Sequence, residues 1–171
     1  MRLPLAYSTL SIIGRFQFLK QLDHPHLCAY LDIQRGKYDW LYIVSEHYCT
    51  TISSLMNLDD AHRRERIPQI AFEILSGLNY LHQNGIVNGF LCPENVLLNS
   101  KGWVKLSHFG LYHLSDKGKN VTFPIGDPFY SAPEMYGNAD GVPHSRKCDV
   151  WSFALIILEL VLERIKIRFS V

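Results

Sequence analysis

Three side chains between positions 82 and 110 are of types that carry chemistry. Cys92 precedes a Pro-Glu-Asn turn that ends at Asn95, and His108 stands directly before a Phe-Gly pair. The imidazole of His108 is of a type that serves as a base or a metal ligand, and the amide oxygen of Asn95 suits a hard cation. Each residue also has a simpler interpretation, which is favoured because no second His or Cys lies at ligand spacing from His108. His108 is then a structural histidine, Cys92 a small buried residue, and Asn95 a side chain that holds its own loop.

The composition excludes several classes of partner and site. The 171 residues carry 17 basic and 16 acidic side chains, a formal net charge of +1, which is too small to indicate nucleic acid or an anionic membrane as a partner. The four cysteines include no CxxC pair and no secretory signal precedes them, so reduced thiols in a cytoplasmic protein are expected. The apolar run at residues 150–162 is too short for a transmembrane segment and predicts a buried helix.

The hydrophobic pattern indicates one α+β folding unit without repeats or linkers. It predicts a helix over residues 10–22, which ends at an Asp-His-Pro breaker, and a second helix over residues 68–82. Strands are expected at 27–33 and 40–45, with shorter runs at 86–87, 96–98 and 104–106. Residues 111–130 read as a long mobile loop, a length that is usually functional or disordered.

In this order the segments resemble the landmarks of the protein kinase fold. The matching strings are DHP at 23–25, LYIVSEH at 41–47, GIVNGFLCPENVLL at 85–98, KLSHFGL at 105–111, APE at 132–134 and DVWS at 149–152. The resemblance implies a partial kinase-like domain over residues 1–171. Residues 1–47 form an incomplete N-lobe with the regulatory helix and two strands, and residues 48–171 form a C-lobe that stops before its last helices.

The resemblance also places uncharged residues where an active kinase has charged ones. The degenerate positions, which stand for His, Arg, Asp and Lys of the catalytic loop and for the metal-binding Asp, are Asn88, Gly89, Phe90, Cys92 and His108. A benzyl group at Phe90 cannot accept a proton from a substrate hydroxyl, and imidazole is a poor ligand for Mg²⁺. Arg15 takes the place of the regulatory-helix Glu, and the β3 Lys and the glycine-rich loop have no counterpart. The resemblance therefore implies no catalytic residues and no bound metal.

A remnant of nucleotide binding is the alternative that the resemblance leaves open. Glu46, His47 and Tyr48 stand at the hinge and would offer backbone groups to adenine, Leu97 would contact the ring, and Asn95 is the one polar catalytic-loop residue retained. On this alternative the chain is an atypical or weak ATP-binding Ser/Thr kinase that uses ATP and Mg²⁺. On the favoured interpretation it needs no cofactor.

Other matching positions imply structural roles. The resemblance assigns Leu19 and Phe109 to the spine that joins the lobes and Asp149 to a cap on the catalytic-loop backbone. The full set of structural positions is Arg15, Leu19, Phe109, Gly110, Glu134, Asp149 and Trp151. Glu134 is expected to lack its usual Arg partner, because that residue belongs to a later helix.

Within the kinase family, the strings GRFQFLK, HPHLCAYLDIQRGK and FPIGDPFYSAPE are similar to those of the TBC domain-containing kinase-like group. Members of that group join a catalytically deficient kinase-like domain to a TBC domain and a rhodanese-like domain. The resemblance implies a pseudokinase that binds protein partners in Rab GTPase-linked membrane traffic or growth signalling. It implies a cytoplasmic location, with endomembrane or cytoskeletal association through those partners, and no contact with nucleic acid.

Overall fold

The computed structural model describes residues 5–36, 41–57, 60–117, 125–135 and 145–162. The helices are α1 (Leu5–Lys20), α2 (Asp60–Gln83), α3 (Leu111–Leu114) and α4 (Arg146–Leu162). The strands are β1 (Tyr30–Arg35), β2 (Leu41–Ser45), β3 (Thr50–Thr51), β4 (Val96–Leu98) and β5 (Val104–Leu106). Short 3₁₀ turns cover Ile52–Asn57, Pro93–Asn95 and Pro133–Met135. This mixture of helices and small sheets confirms the predicted α+β class.

Two small antiparallel sheets divide the strands. β1 pairs with β2, with Ile33 opposite Ile43, and β4 lies between β3 and β5. A parallel bridge connects the two parts, because Cys28 N donates to Leu106 O at 2.8 Å and Leu106 N donates to His26 O at 2.9 Å. The catalytic-loop segment, residues 86–95, leads directly into β4 of the second sheet.

Helix α2 begins at Asp60, eight residues before the predicted start at Pro68, so the sequence-based boundary is wrong. Pro68 lies inside the helix and is exposed. Because proline has no N–H to donate to the carbonyl one turn earlier, water can bind that carbonyl instead. Two arginines of the extra turns make tertiary contacts. Arg63 Nε donates to Leu160 O at 2.9 Å, and Arg66 Nη2 donates to Gly102 O at 2.6 Å. Such long-range hydrogen bonds stabilise a polar segment that has no hydrophobic pattern.

Helix α4 is only half buried, which corrects the prediction of a buried helix. Ile156 and Leu160 are inaccessible and pack towards α2. Large apolar side chains on other faces are exposed, namely Val150, Trp151, Leu158, Val161 and Leu162. Apolar residues all around a helix predict burial on every side. Here one neighbouring helix covers one face. Within the described residues, no helix is both apolar and long enough to cross a lipid bilayer.

Three further segments differ from their predictions. Residues 86–87 have no strand structure, and Ile86 N instead donates to Leu81 O at 2.9 Å. The predicted loop at 111–130 begins with the four-residue helix α3, whose preceding residue Gly110 has a left-handed φ of 77°. The first helix starts at Leu5 rather than at residue 10. Residues 118–124 of the predicted loop and residues 37–40 of the hairpin lie outside the described residues.

Candidate functional site

A buried carboxylate holds the backbone of the catalytic-loop segment. The Asp149 side chain, in the first turn of α4, accepts hydrogen bonds from Asn88 N at 2.9 Å and Gly89 N at 2.8 Å. The ring of His82 lies 2.7 Å away through Nε2. Gly89 adopts a left-handed φ of 70°, which aims consecutive amides at one acceptor. Asp149 is 1% exposed, so these contacts replace the water that the carboxylate and amides lose.

The side chains of this loop bond to the loop itself. Asn88 Oδ1 accepts a hydrogen bond from Phe90 N at 3.0 Å, and Asn95 Nδ2 donates to Phe90 O at 3.0 Å. The side-chain amides of Asn88 and Asn95 thus fix the backbone around Phe90. The phenyl ring of Phe90 is partly exposed and has no hydrogen-bond acceptor. Asn88 Nδ2 is buried and has no hydrogen-bond partner among the described residues. The loop keeps its shape without a proton acceptor at its tip.

His108 lies next to Phe90, with ring centroids 6.2 Å apart in an edge contact. Its Nδ1 is 3.0 Å from Ser107 Oγ, and that hydroxyl donates its proton to Asn95 O at 2.8 Å. Ser107 can then only accept from Nδ1, which assigns the Nδ1–H tautomer. Partial desolvation lowers the pKa of His108 below its ordinary 6.5, so the ring is neutral at pH 7. A neutral imidazole beside a phenyl ring does not fit Mg²⁺, which takes oxygen ligands.

Phe109 and Gly110 pack against helix α1 and strand β1. Phe109 is 1% exposed and stacks on Tyr30 at 4.5 Å, and the Tyr30 hydroxyl donates to Phe109 O at 2.7 Å. A Cβ on Gly110 would lie 2.7 Å from Leu19 Cδ1, so any larger residue there would have to displace the Leu19 side chain. Leu19 itself is fully buried. Sequence reasoning missed Tyr30, which was read only as part of a strand. The available signal was that a tyrosine buried in a strand needs a hydrogen-bond acceptor for its hydroxyl group.

Arg15 turns towards α3. Its Nη1 donates to Leu114 O at 3.1 Å, and its Nη2 lies 3.1 Å from the Asp116 carboxylate. Phe18, one turn further along α1, contacts the His113 ring with centroids 5.8 Å apart. A guanidinium at the carboxyl end of a helix meets unpaired carbonyls there. Arg15 therefore joins α1 to α3.

The hinge uses its polar groups internally. Glu46 O accepts from Cys28 Sγ and from Ser45 Oγ, both at 3.2 Å, and Glu46 Oε2 accepts from Ala29 N and Tyr48 Oη, both at 3.0 Å. The Glu46 carbonyl is thus already engaged with two protein donors. His47 is exposed, with Nε2 3.5 Å from Cys49 Sγ. Leu97 lies half-buried on β4 between Thr51 and Lys105.

The remaining predicted structural positions lie in the first turns of α4 and in the Pro133–Met135 turn that contacts it. Glu134 is exposed and its Oε1 contacts Cys148 Sγ at 3.6 Å. Trp151 is 40% exposed, on a face of α4 away from Ile156. Ser152, between these elements, donates to Tyr130 O at 2.7 Å and so ties residues 125–135 to α4. This contact and the Cys148 thiol hold the Ala-Pro-Glu segment to the first turns of α4.

One cluster beside the catalytic loop was not predicted. Cys92 Sγ and carboxylate oxygens of Glu94 and Asp127 all lie within 4.8 Å of one another. Burial, opposed by a hydrogen bond with the Asn95 backbone and reinforced by Glu94 and Asp127, raises the pKa of Cys92 to about 12, so the thiol is protonated at neutral pH. Sequence reasoning treated Cys92 as an isolated buried residue. Glu94 follows it closely, but Asp127 is far along the chain, and only the fold brings the three together.

Comparison with known proteins places this arrangement in a family. Residues 8–168 match the protein kinase domain family. The TBC domain-containing protein kinase-like protein of Mus musculus is 42% identical over 95% of this chain and 19% of that protein. The protein of the same name in Dictyostelium discoideum is 32% identical over 92% of this chain and 16% of its own length. Serine/threonine-protein kinase Tao of Drosophila melanogaster is 30% identical over 87% of this chain and 14% of its own.

The chain thus spans about a fifth of the length of the TBC domain-containing relatives that it matches. The family match covers both the strands of the first sheet and the helices α2 and α4. The resemblance found in the sequence motifs is confirmed, and the chain belongs to the protein kinase domain family, with similarity to TBC domain-containing protein kinase-like proteins.

Proposed function

We propose that this chain is a catalytically inactive kinase-like domain, a pseudokinase, that acts as a binding or regulatory module. The observation that carries the proposal is the contact between Phe90 and His108, whose ring centroids are 6.2 Å apart. Phosphoryl transfer relies on a positioned base and on metal-bound charge stabilisation. An aromatic ring and a neutral imidazole at these positions supply neither.

Two neighbouring regions support the same proposal. Arg15 is engaged with Leu114 O and Asp116, so it supports α3 rather than a phosphate-binding lysine. At the hinge, Glu46 O is already bonded to Cys28 and Ser45. ATP would have to displace these bonds before adenine could bind. The cleft residues stabilise the fold through packing and internal hydrogen bonds.

The names of the relatives extend the proposal to a larger protein. Because those proteins are described as TBC domain-containing, we infer that this module works together with a TBC domain in Rab GTPase-linked membrane traffic or growth signalling. Its partners are then proteins rather than nucleic acid. The location proposed is cytoplasmic, with endomembrane or cytoskeletal association through those partners.

The competing function is a weak or atypical Ser/Thr kinase. It rests on the 30% identity to a serine/threonine-protein kinase and on the retained Asn95. Asn95 Nδ2 donates to Phe90 O at 3.0 Å, an interaction that holds the loop and needs no nucleotide to explain it. The two functions differ in one measurable property, the binding of ATP in the presence of Mg²⁺.

The test is a thermal shift with ATP, with and without Mg²⁺, together with radiolabelled phosphate transfer. A ligand at about 100 times its Kd adds about 2.7 kcal/mol to stability. We expect no shift at millimolar ATP and no transfer. The double variant Phe90→Asp with His108→Asp should also be inactive, and it should melt at a lower temperature because two carboxylates lack compensating charge. Magnesium-dependent transfer by either protein would establish the kinase alternative.

A further inference from the structure

The cluster of Cys92, Glu94 and Asp127 has no part in the function proposed above. Its ligand-type atoms come from two separate segments and lie within 4.8 Å of one another. The segment at Asp127 lies directly against the catalytic loop, since a Cβ on the neighbouring Gly126 would be 3.0 Å from Gly89 O. Cys92 is buried, Asp127 is partly buried and Glu94 reaches solvent. The cluster therefore has a fixed inner side and an open outer side.

Donors outside the cluster orient both carboxylates. Ser53 Oγ donates to Glu94 Oε1 at 3.3 Å, and Phe129 N donates to Asp127 Oδ1 at 2.9 Å. Each carboxylate thus has one oxygen held from outside the cluster, and Glu94 also shares a hydrogen bond with the Cys92 thiol, whose proton a metal ion would replace. Outer hydrogen bonds of this kind orient metal ligands in proteins.

The cluster carries two carboxylates. None of the salt bridges among the described residues involves Glu94 or Asp127. The kinase resemblance places a lysine at position 92, where this chain has a thiol. Two carboxylates therefore face a position from which the positive charge is missing. A bound cation would restore it.

We propose that Cys92, Glu94 and Asp127 bind a divalent transition-metal ion of the zinc class, with water as the fourth ligand. Sulfur excludes Mg²⁺ and Ca²⁺, which take oxygen ligands, whereas Zn²⁺ accepts sulfur and carboxylate together. Zinc bonds of about 2.0–2.3 Å place tetrahedral ligand atoms about 3.5 Å apart. The ligand atoms here lie up to 4.8 Å apart, and the exposed Glu94 side chain can move to bring its oxygen closer to the other two atoms. The Zn–S bond forms as the thiol proton passes to solvent.

The consequence is a clamp between the catalytic loop and the segment around Asp127. Binding to the folded chain alone stabilises it by mass action. Zinc should therefore raise the melting temperature.

The test uses Co²⁺ as a spectroscopic probe for the zinc site. Cobalt bound to a thiolate gives a charge-transfer band in the near ultraviolet, and Zn²⁺ should displace it. We expect one equivalent to bind. The band should disappear in Cys92→Ser, and the cobalt affinity should fall at least about tenfold in Glu94→Gln and Asp127→Asn. The matched control is Cys49→Ser, because Cys49 is an exposed thiol 3.5 Å from His47 Nε2. The band should be unchanged in that variant.

A band that survives in Cys92→Ser, disappears in Cys49→Ser, or never forms would overturn the proposal. Glu94 is exposed, so Glu94→Gln should fold even if Cys92→Ser does not. Unchanged cobalt affinity in both carboxylate variants would therefore overturn the site independently of the cysteine variant. A rise in melting temperature with Zn²⁺ that is equal in the chain and in Glu94→Gln would do the same.

Discussion

Two regions of the catalytic-loop segment differ in how much polar structure they contain. At its base, Asp149 accepts from Asn88 N and Gly89 N and lies 2.7 Å from His82. At its tip, Phe90 meets His108 through ring edges. At the base, two backbone amides and a histidine converge on one buried carboxylate, and the tip is an aromatic contact between Phe90 and His108.

The difference separates what folding needs from what chemistry needs. Buried backbone amides must be satisfied in any folded protein, so the base cannot lose its carboxylate cheaply. A catalytic side chain at the tip contributes little to folding and can be replaced by an apolar one that packs. The comparison predicts that stability resides at the base and that the tip tolerates change.

The largest effect is expected for Asp149→Ala. It leaves Asn88 N and Gly89 N without an acceptor in a buried position, so unfolding free energy should fall by about 3 kcal/mol or more. The measurement is urea denaturation with an unchanged slope. The control is Asp32→Ala, an exposed residue of β1, which should change stability by about 0.5 kcal/mol or less. Equal losses in the two variants would contradict the assignment of stability to the base.

The next effect is expected at the joint between the Phe-Gly pair and α1. Gly110→Ala adds a Cβ 2.7 Å from Leu19 Cδ1 at a φ of 77°, whereas Gly85→Ala adds one in open space at a φ of 73°. The left-handed backbone alone costs about 1–2 kcal/mol in each. Gly110→Ala should lose about 1 kcal/mol more, because overpacking is added. Identical melting temperatures for the two variants would show that Leu19 moves aside freely.

A smaller effect is expected at Arg15. Its ion pair with Asp116 is partly exposed, with side-chain exposures of 27% and 45%, so Arg15→Gln should cost about 1 kcal/mol or less. The loss of the Arg15 contacts should be easier to detect locally than in overall stability, because the amides of α3 should exchange hydrogen faster. Lys20→Gln removes the same charge from an exposed position of α1 and is the control. Equal exchange rates in both variants would mean that Arg15 does not hold α3.

The smallest effect concerns pH. Burial, and next the nearby Arg15, lower the pKa of His113 below its ordinary 6.5. The unfolded chain then binds the His113 proton more tightly than the folded chain does. The contribution of neutral His113 to folding stability is therefore present above pH 6.5 and is lost as pH falls through the folded pKa. NMR titration of the ring should give a pKa below 6.5. Arg15→Gln should raise it, and a pKa of His113 that does not respond would contradict the Arg15 contact.

The sequence predicted the family and the degenerate positions, because both depend on residue identity in a fixed order. The α+β class and the kinase resemblance are confirmed by the family match over residues 8–168. The division at residue 47 and the inactive cleft stay predictions. Boundaries were less accurate, since the polar turns of α2 before Pro68 are stabilised by Arg63 and Arg66, whose acceptors are distant in sequence.

The sequence by itself determined the residue types at positions 90 and 108, a phenylalanine and a histidine, and the kinase resemblance implies that an active kinase has carboxylates there. Only the tertiary structure decided the partners of Arg15, which include a carbonyl 99 residues away, and the meeting of Cys92 with Asp127. It also decided which face of α4 is covered. The physical reason is that residue type limits what a side chain can do, whereas its neighbours depend on how distant segments pack.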